Sequence, residues 1–445
     1  MTFYINSVSL KGIKCIDKKI DLVFSNKTVT KSFNVDKSNI KAIYGPNGAG
    51  KSGIVLAMFI YKRLVLDNEA LFDQGFSKMV FNSINKGVNE FSIDVVFTKK
   101  NNESKVRTYK HSLVLNVKDD DVYISYEAFY CLSGKVIDDS AFKKIVEIKD
   151  GTISYVVDIK KGPLENLFIY KKSINLLNKT SICPVFVNTY KDENHIVDES
   201  LYLIDLYDLY MFGLNLNVSI EEADKHSKYI MRSSINKEDV KNKLLEYSNN
   251  IDDYCFLISN SSRDCVKKDK YNNYIKRIEE LSMFIKVFKP SLDSIEIDRV
   301  EKGDDYLCKK IFVYKNYKID IEFESNGIKK LVRLFNSFKA AANGEIVFID
   351  ELDANLHDVY LSKLLEFFLL DGKGQLCFTT HNLEPIELFK DRKHAIDFLS
   401  NDSRIYSWVR EGNTSLKKRY VLGLIPYSPF NVESFDFDVL LDEDK

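Results

Sequence analysis

The chain has 445 residues and a mass of 51.5 kDa, enough for two or three folding units of ordinary size. Hydrophobic residues make up 45% and charged residues 29%, which excludes disordered, collagen-like and low-complexity chains. Because 64 Lys and Arg face 65 Asp and Glu, the formal net charge is −1, and no overall charge draws the protein to nucleic acid or to an anionic membrane.

The seven cysteines are scattered and form no Cys-x-x-Cys pair, so the sequence predicts reduced thiols rather than a zinc ribbon or a redox motif. The first residues, MTFYINSVSLKGIKC, lack the apolar segment of a signal peptide, and no apolar run approaches the roughly 18 residues of a membrane span. We therefore expect a cytoplasmic protein with no membrane contact.

The pattern along the chain predicts three regions. Residues 1–163 contain alternating strands, a glycine-rich loop, the apolar helix GIVLAMFIYKRLVL and then β segments typical of an antiparallel sheet. Residues 164–290 have apolar spacings of three and four but no sustained heptads, which predicts a compact helical insertion that ends before Pro290. Residues 291–445 return to strands, with a helix at 327–341 and the buried strand EIVFID.

The glycine-rich loop matches G-x-x-x-x-G-K-[ST] completely, and it lies between a predicted strand and a predicted helix. In such a loop the backbone N–H groups and the helix N-terminus bind phosphate, the lysine reaches the β- and γ-phosphates, and the last hydroxyl binds Mg²⁺. The predicted nucleotide-binding residues are Gly45, Pro46, Asn47, Gly48, Ala49, Gly50, Lys51 and Ser52.

Two further apolar strands end in side chains suited to phosphate chemistry. Asp350 and Glu351 follow IVFI, so Asp350 is predicted to support the metal and Glu351 to deprotonate an attacking water. His381 follows QLCFTT and is predicted to contact the γ-phosphate, whereas His357 could equally be a surface or packing residue.

These residues resemble the ABC-type ATPase heads of the RecF, SMC and overcoming-lysogeny-defect class, and more closely the AAA/ABC-like ATPases of bacterial anti-phage defence, such as the ATPase subunit of PARIS systems. The resemblance rests on GPNGAGKS, on ESNGIKKL as a divergent signature motif, on IVFIDELDANLH and on FTTHN. It implies an α/β P-loop NTPase head, with a parallel core sheet plus an antiparallel β subdomain, built from residues 1–163 and 291–445.

The resemblance also implies roles for individual residues. Asp350 and Glu351 correspond to the Walker B pair, Asp353 to the D-loop acid and His381 to the switch histidine. Ser325 and Gly327 correspond to signature residues that touch the γ-phosphate bound to the other protomer. The implied partners are therefore a second copy in a homodimer or higher homo-oligomer, and an operon-encoded effector such as a nuclease or toxin.

Several features depart from that class. The signature lacks the common Leu-Ser-Gly-Gly-Gln wording, and neither Gln74 nor Gln375 is well placed for a Q-loop. The absence of sustained heptads argues against a chromosome-tethering SMC protein. Only about 45 residues follow Asn401, too few for a Toprim nuclease domain, so the acids at Glu433, Asp436 and Asp438 are interpreted as a solvated tail.

Three functions follow as hypotheses. The first is an Mg²⁺-dependent ATPase that assembles around nucleotide and controls a separate effector. The second is a RecF-like DNA-binding repair ATPase, and the third is a scaffold that binds ATP for assembly and turns over little. A basic stretch interleaved with aromatic rings could follow a nucleic-acid backbone, although a solvated helix face explains it better. Its residues are Arg263, Lys267, Lys268, Lys270, Tyr271, Tyr274, Lys276 and Arg277.

Overall fold

A computed structural model of the chain describes residues 2–29, 38–101, 106–157, 176–192, 205–220, 263–392, 394–409, 415–426 and 428. The strands in these residues are β1 Thr2–Lys11, β2 Ile20–Val23, β3 Ile40–Tyr44, β4 Glu90–Lys100, β5 Val106–Lys118, β6 Asp121–Leu132, β7 Phe142–Lys149, β8 Thr152–Val156, β9 Leu216–Ser219, β10 Arg263–Lys267, β11 Leu292–Lys302, β12 Asp305–Tyr314, β13 Tyr317–Asp320, β14 Ile346–Ile349, β15 Gln375–Thr379, β16 Ile396–Leu399 and β17 Ile405–Ser407. The α-helices are α1 Lys51–Leu66, α2 Gln74–Ser83, α3 Ile182–Asp192, α4 Asp205–Asn215, α5 Tyr271–Phe288, α6 Asn326–Ala342, α7 Asp358–Asp371, α8 Ile386–Phe389 and α9 Leu416–Val421.

A six-stranded sheet carries the predicted site residues. Its order is β17-β16-β3-β15-β14-β9, and every pair is parallel except β16 with β17. Strands β3, β14 and β15 are buried along their whole length, as expected for parallel strands covered on both faces. Strand β15 therefore separates the strand that enters the glycine-rich loop from the strand that ends in the two acids.

Two other sheets flank this centre. The strands β2-β1-β4-β5-β6-β7-β8 form an antiparallel seven-stranded sheet, and β10-β12-β11, with β13 on β12, form an antiparallel four-stranded sheet. The predicted antiparallel sheet at residues 90–160 is thus present, and the N-terminal strands β1 and β2 belong to it.

Each face of the six-stranded sheet contributes to a separate hydrophobic core. On one face, Ile43 and Phe348 pack with α1, α4 and the seven-stranded sheet. On the other, Ala42 and Val347 pack with α5, α6, α7 and the four-stranded sheet. The alternation of side chains along each strand places successive residues in opposite cores, which fixes the sheet between two helical layers.

A buried glutamine joins the core sheet to the antiparallel sheet. Gln375, the first residue of β15, accepts a hydrogen bond from Ile5 N at 2.6 Å and donates from Nε2 to Ile5 O at 3.1 Å and to Ser38 O at 3.2 Å. Ile5 lies where the register of β1 against β4 shifts. The side-chain amide therefore satisfies backbone groups that the bulge leaves unpaired, a structural role consistent with the prediction that Gln375 is not a Q-loop residue.

The mixed α/β fold with several sheets agrees with the sequence-based expectation, although residues 164–290 contain more than helices. Strand β9 pairs with β14 at the edge of the core sheet, and β10 joins the four-stranded sheet. Residues 158–175, 193–204 and 221–262 of that region, and the acidic residues near Glu433, lie outside the described residues. No helix in the described ranges is both long and apolar enough to cross a membrane.

Candidate functional site

The glycine-rich loop connects β3 directly to α1. Gly50 is the N-cap of α1 with a φ of 104°, and a Cβ atom there would lie 2.6 Å from Ile16 Cγ1. Only glycine fits this left-handed position against a packed neighbour. Because no described side chain caps α1, the first N–H groups of this 16-residue helix remain available to an anion.

Lys51 lies inside the loop and not on its outer surface. Its ammonium donates hydrogen bonds to Gly45 O and Pro46 O, each at 2.8 Å, and only 6% of the residue is exposed. Burial lowers the pKa of Lys51 to about 8, although the nearby carboxylates of Asp350 and Glu351 oppose this shift. A lysine with a pKa near 8 can gain a proton when a polyphosphate binds.

This pKa predicts a pH-dependent affinity for ATP. Above pH 8 the Lys51 amine is largely neutral in the free protein, whereas the phosphates favour its charged form in the complex. We expect the Kd for ATP to rise about fivefold between pH 8 and pH 9, while proton uptake on binding rises from about one half to about nine tenths of a proton per ATP. Fluorescence titrations at constant ionic strength measure the Kd, and calorimetry in buffers of different ionisation enthalpy measures the proton uptake. A constant Kd over this pH range would contradict the prediction.

The two acids follow β14 and are held by the neighbouring strand. Thr379, at the end of β15, donates from its hydroxyl to Asp350 Oδ1 at 2.6 Å, and the same hydroxyl accepts the N–H of Glu351 at 2.8 Å. Thr379 is fully buried and Asp350 is 7% exposed. One threonine therefore orients both acids, a role that sequence reasoning did not assign to it.

Asp353 and His381 meet at the same edge of the sheet. The backbone N–H of His381 donates to Asp353 Oδ2 at 3.3 Å, while Asp353 Oδ1 is buried without a hydrogen-bond partner among the described residues. Burial, followed by the charge of Lys51, lowers the pKa of His381, which favours the neutral form of its imidazole. The predicted site residues of both ends of the chain thus lie together at the carboxyl ends of β3, β14 and β15.

The segment Glu324–Leu331 begins helix α6. Ser325 is the N-cap of this helix and is exposed. Its hydroxyl accepts a hydrogen bond from the Ile328 N–H at 3.4 Å. A Cβ atom at Gly327 would lie 2.7 Å from Asn355 O, in the loop after Asp353. The structure therefore gives each residue a local role, as cap and as close contact, in addition to the predicted contact with a partner's nucleotide.

Two weaker candidates have structural roles. His357 is the N-cap of α7, where its Nδ1 accepts the Val359 N–H at 3.4 Å. In the basic stretch, Tyr274 is 1% exposed, and Arg277 is 9% exposed and donates to Asn336 Oδ1 at 2.7 Å and 3.2 Å. Because these two side chains face the protein interior, the stretch does not form a continuous nucleic-acid surface.

The donor set is compatible with Mg²⁺. A hydroxyl at the start of α1, Ser52, and a carboxylate at the end of β14, Asp350, supply only oxygen, which this hard cation prefers. Within the described part of the chain, no group of three His, Cys, Asp or Glu side chains forms a metal site by itself.

Residues 218–387, less than half of the chain, match the family model described as "AAA domain, putative AbiEii toxin, Type IV TA system". This range includes the last two residues of β9, all of α6, the two acids that follow β14, and His381. No curated protein sequence matches the chain.

Two solved structures align with most of the chain. The Smc head domain with an extended coiled coil, bound to the C-terminal domain of ScpA from Pyrococcus furiosus, aligns over 95% of this chain and 99% of that chain, with 16% identity and a TM-score of 0.39. The recombination mediator protein RecF-ATPrS of the RecFOR pathway aligns over 92% and 99%, with 13% identity and a TM-score of 0.34.

Proposed function

We propose that this protein binds and hydrolyses ATP with Mg²⁺, assembles around the nucleotide, and controls a separate effector in bacterial anti-phage defence. One observation carries the ATPase part of this proposal. The complete phosphate-binding loop, the acids Asp350 and Glu351, and His381 come from segments about 300 residues apart in sequence, yet they lie at adjacent strand ends. Parallel α/β sheets bind ligands at this edge.

Each residue then has a defined task. The backbone of the loop and Lys51 hold the phosphates, and Ser52 with Asp350 hold Mg²⁺, which supplies charge neutralisation when bound. Glu351 accepts a proton from the attacking water, and neutral His381 contacts the γ-phosphate through its ring. Water attack releases ADP and phosphate, and the proton leaves through Glu351.

The proposed assembly rests on helix α6. The helix has 17 residues, and its N-terminus at Ser325 is exposed. The first N–H groups form the positive end of the helix dipole, which favours an anion. The sequence resemblance to two-headed ATPases implies that a partner protomer's γ-phosphate binds there. Asp353 would lie at the same interface, so the working unit would be a homodimer or higher homo-oligomer.

Control of an effector rests on less specific observations. The matched family description contains the words "putative AbiEii toxin" and "Type IV TA system", and the separate effector comes from the sequence resemblance to defence-operon ATPases. The basic stretch around Tyr274 and Arg277 is partly buried, which weighs against a DNA-binding repair ATPase. We therefore place the nuclease or toxin activity in a separate protein encoded nearby.

Light scattering together with ATPase assays tests the proposal. The protein is purified with its operon neighbour and measured with and without ATP and duplex DNA. ATP-dependent assembly, hydrolysis and a co-purifying neighbour without a DNA response support it. Hydrolysis stimulated by DNA without a partner would favour the repair ATPase, and ATP-dependent assembly without turnover would favour the scaffold.

A further inference from the structure

Glu351 has an unusual backbone for a catalytic carboxylate. Its φ is +45°, in the left-handed region that residues other than glycine seldom occupy. The direction in which the Glu351 side chain leaves the main chain depends on this angle. If the backbone relaxed to a negative φ, the Glu351 carboxylate would point in a different direction. Contacts with the surrounding residues must therefore hold the observed conformation.

Both backbone polar groups of Glu351 are bound by buried side chains. On one side, its N–H donates to the hydroxyl of Thr379 at 2.8 Å. On the other, its carbonyl oxygen accepts a hydrogen bond from the ammonium of Lys330 at 3.1 Å. Thr379 is 0% exposed and Lys330 is 2% exposed, so water competes little with either contact.

Lys330 belongs to α6, the helix that begins at Ser325. The same helix touches the loop after β14 at a second point, where Gly327 packs against Asn355 O. Helix α6 therefore contacts both the residue proposed as base and the loop beyond it. A shift of α6 along its axis would move the Lys330 ammonium relative to the Glu351 carbonyl.

We propose that Lys330 and Thr379 are positioning residues that hold Glu351 in its left-handed conformation, and that Lys330 makes the aim of the carboxylate depend on the position of α6. The inference rests on the proposed ATPase function and deepens it. Neither residue needs to touch the substrate.

Single-turnover hydrolysis and ATP binding of Lys330→Met test the inference, with Lys330→Arg as the conservative variant. We expect a 10- to 100-fold lower hydrolysis rate for Lys330→Met, a Kd for ATP within about threefold of the wild type, and partial recovery in Lys330→Arg. Lys339→Met is the matched control, because Lys339 lies at the other end of α6 and pairs with Glu280 at 2.6 Å. It should hydrolyse ATP at the wild-type rate.

A double-variant cycle separates positioning from a general structural effect. If Lys330 acts through Glu351, adding Lys330→Met to Glu351→Gln should lower the residual rate less than twofold. An equal loss in both backgrounds, a wild-type rate for Lys330→Met, or a parallel loss of ATP affinity would overturn the inference.

Thr379→Val provides an independent test if Lys330→Met does not fold, because it removes the hydroxyl with little change of shape. Measured at saturating Mg²⁺, it should slow hydrolysis at least tenfold, and Thr379→Ser should restore most of the rate. Wild-type hydrolysis by Thr379→Val would overturn the inference. If the wild type itself does not hydrolyse ATP, the proposed function fails, and the inference falls with it.

Discussion

Glu351→Gln is expected to lower ATP turnover by about 100- to 10,000-fold while leaving ATP binding within about threefold of the wild type. The substitution keeps the size and shape of the side chain and removes its negative charge together with its ability to accept a proton. Asp350, Lys51 and the loop backbone are unchanged, so the contacts proposed for the phosphates and the metal remain. Hydrolysis should therefore stop at a nucleotide-bound assembly.

Radiolabelled ATP turnover, equilibrium binding and light scattering measure these three effects together. Glu366→Gln is a suitable control, because Glu366 pairs with Lys363 on the surface of α7 and lies outside the proposed site. The control should match the wild type in all three measurements. A Glu351→Gln protein with full turnover would remove Glu351 from the role of base.

Lys51→Ala is expected to weaken ATP binding at least 100-fold, equivalent to about 2.8 kcal/mol, and to abolish hydrolysis and ATP-dependent assembly with it. The lost ammonium is buried in the loop, where it donates to backbone carbonyl groups. Its bonds to Gly45 O and Pro46 O also shape the loop. Removing the ammonium takes one donor from each carbonyl, and Pro46 O then keeps the Ala49 N–H at 3.3 Å.

The unfolding midpoint in urea distinguishes lost binding from lost folding in Lys51→Ala. Lys363→Ala serves as the control, because the side chain of Lys363 is 76% exposed. We expect the control to bind ATP as the wild type does. Wild-type affinity in a folded Lys51→Ala protein would mean that nucleotide binds elsewhere, and the proposed site would be wrong.

The strands that carry the site could be predicted because each is a short, continuous apolar run with a chemical group at its end. IVFI before Asp350 and QLCFTT before His381 could be recognised without knowledge of the neighbouring strands. Helix α6 was likewise predicted to within two residues from its apolar spacing. The apolar pattern of a segment was sufficient to predict a strand or helix where the burial of that segment's own side chains determines its structure.

The order of the strands could not be predicted in the same way. Strand β9 has four residues, Leu216–Ser219, directly after α4, and its pairing with β14 joins segments about 130 residues apart. Nothing in those four residues distinguishes them from the end of a helix. The region was therefore predicted as helical insertion, although it supplies an edge strand of the core sheet.

The residues that support the site were missed for a related reason. In the sequence, Thr379 lies near the end of a predicted strand, and Lys330 belongs to a divergent signature motif. Their roles come from hydrogen bonds to Glu351, 28 and 21 residues away. A threonine inside an otherwise apolar buried strand was the one available signal, because a buried hydroxyl requires a partner.

Strand β15 connects the antiparallel seven-stranded sheet with the two acids that follow β14. Its first residue, Gln375, forms hydrogen bonds with Ile5 at the bulge of β1. Its last residue, Thr379, forms hydrogen bonds with Asp350 and Glu351. These anchors are only about 13 Å apart, the length of a five-residue strand. The antiparallel sheet and the proposed catalytic acids are thus joined through a single span of backbone, far more directly than through the loops that connect them in sequence.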